Sequence, residues 1–324
     1  MQFNNKFTRA FDILCSPFLK QRRPIFISWA LTNKCPHSCL YCHISQKENR
    51  DLSTEESLLL LSQLKKSGCK VISFTGGEPL LRPDLRDILS RAKKLNIYTY
   101  LCSTGYPVPS DFSFLDYVNC LNVSIDGPPK IHDSIRVPGS FEAAIRMIIK
   151  ALGKKIKVEI QAVLSKINLG SIGFLVDLAY EYKVKVYFQP ATIKVLGGEG
   201  INPIACEKNS YRRAIDNLIE YKRRNAPIGN SLAGLRAMRF WPKRQLIKCP
   251  TSKVFCYIQP DSNIKLCPRL NQSKGPILGK DIIKILNDFP EPQCQECWCC
   301  QKIELAEIHK LNPEAITNAI FSSW

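Results

Sequence analysis

The chain contains no run of about 18 apolar residues, which leaves no segment suited to a transmembrane helix. Its N-terminus lacks the apolar core and small-residue cleavage site of an export signal. There is no internal repeat and no low-complexity tract, so neither a repeat array nor a biased linker organises the chain. Acid is scarce: 28 Asp and Glu stand against 46 Lys and Arg, a formal net charge of +18. One absence is local. Cys35, Cys39 and Cys42 form C-x3-C-x2-C with no fourth cysteine beside them. A tetrahedral zinc site wants four ligands. Three thiolates hold three irons of a [4Fe–4S] cube and leave the fourth iron open to a small molecule.

Cysteine itself is plentiful, fifteen in 324 residues, seven of them between Cys249 and Cys300. They cluster at metal-ligand spacings without an export signal, which points to thiolate ligands in a reducing cytoplasm. A length of 324 residues with 45% hydrophobic content suits one large domain and a smaller one. Between Arg212 and Lys248 ten Lys and Arg face only Asp216 and Glu220. Such a face suits nucleic acid, anionic lipid or an acidic substrate, or is simply a solvated surface. Phe3, Phe7, Phe11, Leu14 and Phe18 make one helical stripe flanked by basic residues. That stripe fits a helix lying on a membrane surface, or one packed across a barrel or sheet edge.

From Pro24 onward strand and helix patterns alternate. Apolar runs at 24–31, 71–75, 97–102, 121–126, 157–164 and 184–189 read as strands. Ser53-x-x-Glu56 is a capping box opening a helix that Gly68 stops. Six βα units imply a parallel sheet with helices outside, an α/β partial (β/α)6 barrel of the TIM-like kind. Such sheets carry their chemistry at the C-terminal strand ends. Cys35, Gly76, Ser103, Asp126, Gln161 and Gln189 fall at or near those ends. The expected division is an amphipathic helix (1–23), the barrel (24–239), a small Cys-rich domain (240–303) and a helical segment (304–324), with Pro313 opening a last helix.

The cysteine motif after the first strand and Gly76-Gly77-Glu78-Pro79 after the second together resemble the radical S-adenosylmethionine (radical SAM) superfamily. The resemblance covers residues 24 to about 190. It implies S-adenosyl-L-methionine chelated at the open iron, reductive cleavage of its C–S bond, and hydrogen abstraction by a 5′-deoxyadenosyl radical. It also implies an electron donor of the ferredoxin or flavodoxin type. Gly76 and Gly77 would let backbone approach the methionine amine, and Glu78 would accept from it. Tyr41 takes the place where the family stacks adenine. Ser124-Ile125-Asp126-Gly127, His132-Asp133 and Arg136 resemble the branch with an extra iron–sulfur domain. There Ser124 and Arg136 would hold the cofactor carboxylate, Arg136 by a bidentate fork. Asp126 would face the ribose or cap a turn, Gln161 would reach the ribose, and His132 reads as a structural group. Ser103-Thr104-Gly105 stands where the family often has Thr-Asn-Gly. Cys102, at the end of the third strand, is a candidate hydrogen donor.

The second cysteine group resembles the opening of SPASM and twitch domains. Cys249, Cys267, Cys294 and Cys297 would complete one auxiliary [4Fe–4S] cluster, and Cys256, Cys299 and Cys300 remain further candidates, with room for a second cluster. Ser262 replaces an expected glycine, and Asn263 would supply the positive-φ turn. Cys15, Cys69 and Cys120 read as buried apolar groups. The expected protein is thus a cytoplasmic radical SAM enzyme, peripheral to the membrane if the N-terminal stripe binds there. Its substrate is a peptide, cofactor precursor, tetrapyrrole or lipid. The rival from another class is a zinc-dependent nucleic-acid-binding protein without catalysis.

Overall fold

Alternating side chains decide how this sheet is used. The computed structural model describes residues 19–48, 50–242, 251–292 and 297–321. The Phe-striped segment 1–18 and the expected ligands Cys249 and Cys294 lie outside them. Strands β1 (Phe26–Thr32), β2 (Val71–Gly76), β3 (Tyr98–Ser103), β4 (Cys120–Ser124), β5 (Lys157–Leu164) and β6 (Lys185–Pro190) run parallel, each beside the next. One cross-strand row reads Ile258, Trp29, Phe74, Leu101, Leu121 and Val158, all buried. The row on the opposite face reads Tyr257, Ser28, Ser73, Tyr100, Cys120 and Lys157. The next row of that face is Cys102, Asn122, Glu159 and Lys185. A parallel sheet covered by helices on one side is apolar there, because each buried Leu or Phe contributes about 1.5–3 kcal/mol. Here the second face is polar and aromatic, the lining of an open barrel rather than of a filled core.

The helices follow from their patterns. α1 (Thr54–Lys66) begins at Ser53, whose side chain accepts from Glu56 N–H at 3.2 Å while Glu56 accepts from Ser53 N–H at 2.8 Å. It ends before Gly68, at φ +94°. α2 (Leu85–Lys94), α3 (Pro129–Ile135), α4 (Ser140–Gly153), α5 (Ile172–Glu181) and α6 (Lys208–Arg223) complete the outer layer. Leu60, Leu64, Ile88, Met147, Ile148 and Leu175 seal it against the sheet. α7 (Leu232–Met238) packs on α6, α8 is Ile282–Asn287, and α9 (Cys300–His309) and α10 (Pro313–Phe321) close the chain.

The expected boundary near residue 240 falls after α7, but the cysteine-rich segment opens by extending the barrel sheet. β7 (Phe255–Ile258) lies parallel to β1, and β8 (Ile264–Lys265) returns antiparallel to it. The turn between them corrects one expectation: the positive φ sits on Ser262 itself, at +65°, and not on Asn263. Cys256, open in the sequence between a ligand and a core thiol, takes the core position. On β7 it alternates to the helix side, fully buried in the apolar core near Cys69, and so is no ligand beside Cys267. The start of the described chain is pinned to the same region, where Arg22 donates to the carbonyls of Leu286 and Phe289. Among the described residues no helix is long and apolar enough to cross a membrane.

Candidate active site

Thr32 ends β1, and the loop carrying Cys35, Cys39 and Cys42 begins at once. Backbone bonds hold it from two sides. His43 N–H donates to Leu196 O at 2.7 Å, Leu196 N–H to Tyr41 O at 2.9 Å, and Leu40 N–H to Ile135 O at 3.3 Å. The segment after β6, read as a loop from Gly197, Gly198 and Gly200, thus clamps the cysteine loop.

Gly76 and Gly77 seat that loop from below. A Cβ on Gly77 would stand 2.2 Å from the Lys34 carbonyl oxygen, and one on Gly76 2.2 Å from that of Thr32. Gly77 N–H donates to Thr32 O at 2.7 Å and Glu78 N–H to Lys34 O at 2.9 Å. These glycines were expected to make room for the methionine amine. Their missing side chains first make room for the backbone of Thr32–Lys34.

Glu78, expected to accept from the methionine amine, is bonded within the protein. Its carboxylate is fully buried and takes four donors: Ser103 Oγ (2.7 Å), Thr104 Oγ1 (2.7 Å), Thr104 N–H (2.8 Å) and Leu80 N–H (3.2 Å). Two oxygens offer about four lone-pair positions, so the side chain ties β2 to β3 and has no vacant position for the amine. Ser103, expected at the cofactor, is one of its holders and accepts from Gly105 N–H at 2.9 Å. Burial raises the Glu78 carboxyl above the usual range. Thr104 was passed over in the sequence because it departs from the family's amide. Its hydroxyl nevertheless links Glu78 to His37 Nε2, 2.8 Å away, in the cysteine loop. Burial, foremost, lowers His37 to about 4, so the ring is neutral.

Asp126, Arg136 and Tyr41 form a second buried knot. Arg136 Nε donates to Asp126 Oδ2 at 2.8 Å and its Nη2 to Tyr41 OH at 2.7 Å, while Tyr41 OH donates to Asp126 at 3.2 Å. Val163 N–H fills the other Asp126 oxygen at 2.9 Å. Asp126 is completely buried and does not face an open ribose site. Arg136 has two fork donors committed within the protein, which departs from the free carboxylate clamp expected. Its guanidinium carbon lies 5.9 Å from the centre of the half-buried Tyr41 ring. His132 is structural, as read: Nδ1 accepts from Asp126 N–H at 3.1 Å, and burial lowers the ring to about 4.

Ser124 ends β4, half-buried beside Gln161. Gln161 is committed elsewhere than the ribose. It donates to Tyr187 O at 3.2 Å and accepts from Gln301 Nε2 at 3.1 Å, tying β5 to α9. Cys300 points the same way, its thiol 3.6 Å from Gln161 Oε1. Cys102 lies on the polar face, 3.3 Å from Ser73 Oγ. Burial pushes its thiol up to about 11, so it stays protonated.

Three thiols in one loop are the donor set an iron–sulfur cube takes. Burial pushes Cys35 up to about 12 and Cys39 to about 11 and raises Cys42, so cluster-free protein keeps them protonated and loading must release protons. Among the described residues no three His, Cys, Asp or Glu converge on a single-ion position. A cube places each thiolate on a different iron and needs no such convergence, whereas a zinc ion does.

Residues 29–178 match the Radical SAM superfamily. That stretch is a radical SAM domain. The chain's radical SAM relatives include Fe-coproporphyrin III synthase of Methanosarcina barkeri, 28% identical over 218 residues, which cover 64% of this chain and 53% of that protein. Mycofactocin maturase MftC of Mycobacterium tuberculosis is 25% identical over 266 residues, 76% of this chain and 64% of that one. The chain therefore spans between half and two thirds of the length of these curated relatives. The solved structure of anSMEcpe with bound AdoMet superimposes with a TM-score of 0.67 at 15% identity, covering 93% of this chain and 96% of that one, a likeness of fold. A zinc protein that only binds nucleic acid has no use for this barrel or its glycine–glutamate loop.

Proposed function

We propose that the protein is a radical SAM enzyme that abstracts hydrogen from an unactivated carbon of a peptide, cofactor-precursor, tetrapyrrole or lipid substrate. The observation that carries this reading is the seating of the three-cysteine loop on Gly76 and Gly77, with Glu78, Thr104 and His37 joining it to β2 and β3. When bound, the cluster supplies one electron to the sulfonium of S-adenosylmethionine and so breaks its C–S bond. The protein's part is to hold, orient and shield. Cys35, Cys39 and Cys42 would hold the cluster. The Gly76–Glu78 backbone, Ser124 and Arg136 border the space for the methionine end, and Tyr41 borders that for the adenine. Glu78, Ser103 and Asp126 serve as the frame of that site. The polar inner face, with Tyr100, Asn122, Glu159 and Tyr187, would receive a polar substrate, and Cys102 would return a hydrogen atom to its radical.

The likeness of both curated relatives supports a maturase or cofactor-modifying role over nucleic-acid binding. Cys267 and Cys297, with Cys249 and Cys294, would hold an auxiliary cluster of the twitch type. A low-potential ferredoxin or flavodoxin would supply electrons. The test is to purify the chain anaerobically, load iron and sulfide, add reductant and S-adenosylmethionine, and measure 5′-deoxyadenosine. Formation of 5′-deoxyadenosine, lost when Cys35, Cys39 and Cys42 are replaced by Ala, is the expected result. Zinc without iron, or no product from a reducible cluster, overturns the reading.

A further inference from the structure

A cation stands among the C-terminal cysteines, and among the described residues no carboxylate meets it. Lys302 lies in the first turn of α9, only 8% exposed. Its ammonium donates to Cys267 Sγ at 3.0 Å and lies 4.6 Å over the Phe255 ring. The sulfur groups around it are those of Cys267, Cys299 and Cys297. Glu304, on the same helix, is turned away to Ser231 N–H. The first turn of a helix is also its positive end, where a cation is unfavourable. An ammonium buried without a negative partner costs several kcal/mol, and neutral thiols do not provide one. Exposed Arg269 adds more positive charge beside Cys267. The surroundings are therefore arranged for a sulfur group of net negative charge.

We propose that Cys267, Cys297 and Cys299 are the described part of an iron–sulfur site and that Lys302 is its fixed counter-charge, raising the reduction potential of the cluster held there. This inference rests on the reading that the C-terminal cysteines hold an auxiliary cluster. It brings in Cys299, half-buried beside Cys297, and sets Cys256 and Cys300 aside. Accepting one electron from a low-potential donor adds one negative charge to the cluster. A positive charge within hydrogen-bond reach of a ligand sulfur favours that reduced form, and a buried setting strengthens the effect. Lys302 acts through the sulfurs and is a positioning residue.

The experiment uses the full chain carrying Cys35→Ala, Cys39→Ala and Cys42→Ala, so that any remaining cluster is the C-terminal one. Iron and sulfide are counted after anaerobic loading, and the midpoint potential is measured by titration with redox mediators and electron paramagnetic resonance. Lys302→Met should shift the reduction equilibrium at least tenfold toward the oxidised form, about 59 mV for one electron. Lys302→Arg, which keeps the charge, should hold the parent potential. An unmoved potential in Lys302→Met, or an equal fall in Lys302→Arg, overturns the proposal. If Lys302→Met fails to retain iron, retention by Lys302→Arg supports the counter-charge and loss from both overturns it. If the parent itself holds no cluster, the auxiliary-cluster reading falls and this inference with it. The radical SAM reading is then judged separately, by 5′-deoxyadenosine from the chain with its first three cysteines intact.

Discussion

The barrel mouth and the C-terminal cysteine region handle buried charge in opposite ways. At the mouth every carboxylate is matched within the protein: Glu78 has four donors, and Asp126 has Arg136, Tyr41 and Val163 N–H. That network is complete before any cofactor arrives. Around Cys267 the buried ammonium of Lys302 meets, among the described residues, sulfur and an aromatic ring. The first region is preorganised by the polypeptide. The second, on the proposal made above, would reach charge balance with a negative cluster bound. A preorganised frame suits a site that must aim a reactive fragment; a charge left for the cofactor to answer suits a site that tunes one.

The sharpest break of this contrast is Gly77→Ala. Its methyl group would displace the Lys34 carbonyl and with it the cysteine loop. A displacement of ~1 Å is worth about 100-fold in rate, so 5′-deoxyadenosine formation should fall at least that far, with N-terminal iron reduced. Gly153→Ala, where a Cβ meets nothing within 4 Å, is the control. Arg136→Met comes next. It strands Asp126 with no counter-charge, and urea unfolding should show a loss of about 3–5 kcal/mol.

In the C-terminal region, Glu304 gives a pH signature. Its carboxyl, buried where Ser231 N–H opens α7, is raised to about 7 by desolvation. The native state then holds a proton that the unfolded chain releases at the ordinary glutamate value of 4.5. Stability is full below that value and falls as pH rises to about 7, by about 1.4 kcal/mol per unit. Denaturation midpoints across this range should decline in the parent and stay flat for Glu304→Gln. Ser262→Gly should relieve a left-handed residue and raise stability by about 1 kcal/mol, read as a higher midpoint. The smallest effect belongs to the half-exposed pair of Arg239 and Asp216, 2.6 Å apart. Asp216→Asn should change stability by less than about 1 kcal/mol, showing that the basic surface is incidental to the fold.

Much of the barrel was legible because strand and helix periods differ and capping is local. The Ser53–Glu56 box and the Gly68 stop lie within one turn of the residues they govern. The three-cysteine motif was legible for the same reason: a cluster loop is short and its spacing survives in sequence. What Gly76 and Gly77 are for was not. Their need for a bare backbone depends on Thr32–Lys34, some forty residues upstream. The protein partners of Glu78, Asp126 and Gln161 were hidden on the same ground, since a carboxylate or amide at a strand end shows its chemistry but not which neighbours it bonds.

By itself, then, the sequence determined the alternation of strands and helices, the three-cysteine loop and the resemblance to the radical SAM superfamily, all matters of local period and spacing. Only the tertiary structure decided that β7 joins β1, that Cys256 faces the core and Cys300 faces Gln161, and that Lys302 stands among sulfurs. Those outcomes depend on which face of a strand or helix meets which neighbour. Such neighbours lie tens to hundreds of residues apart and are brought together by burial, a non-directional force that leaves no motif of its own.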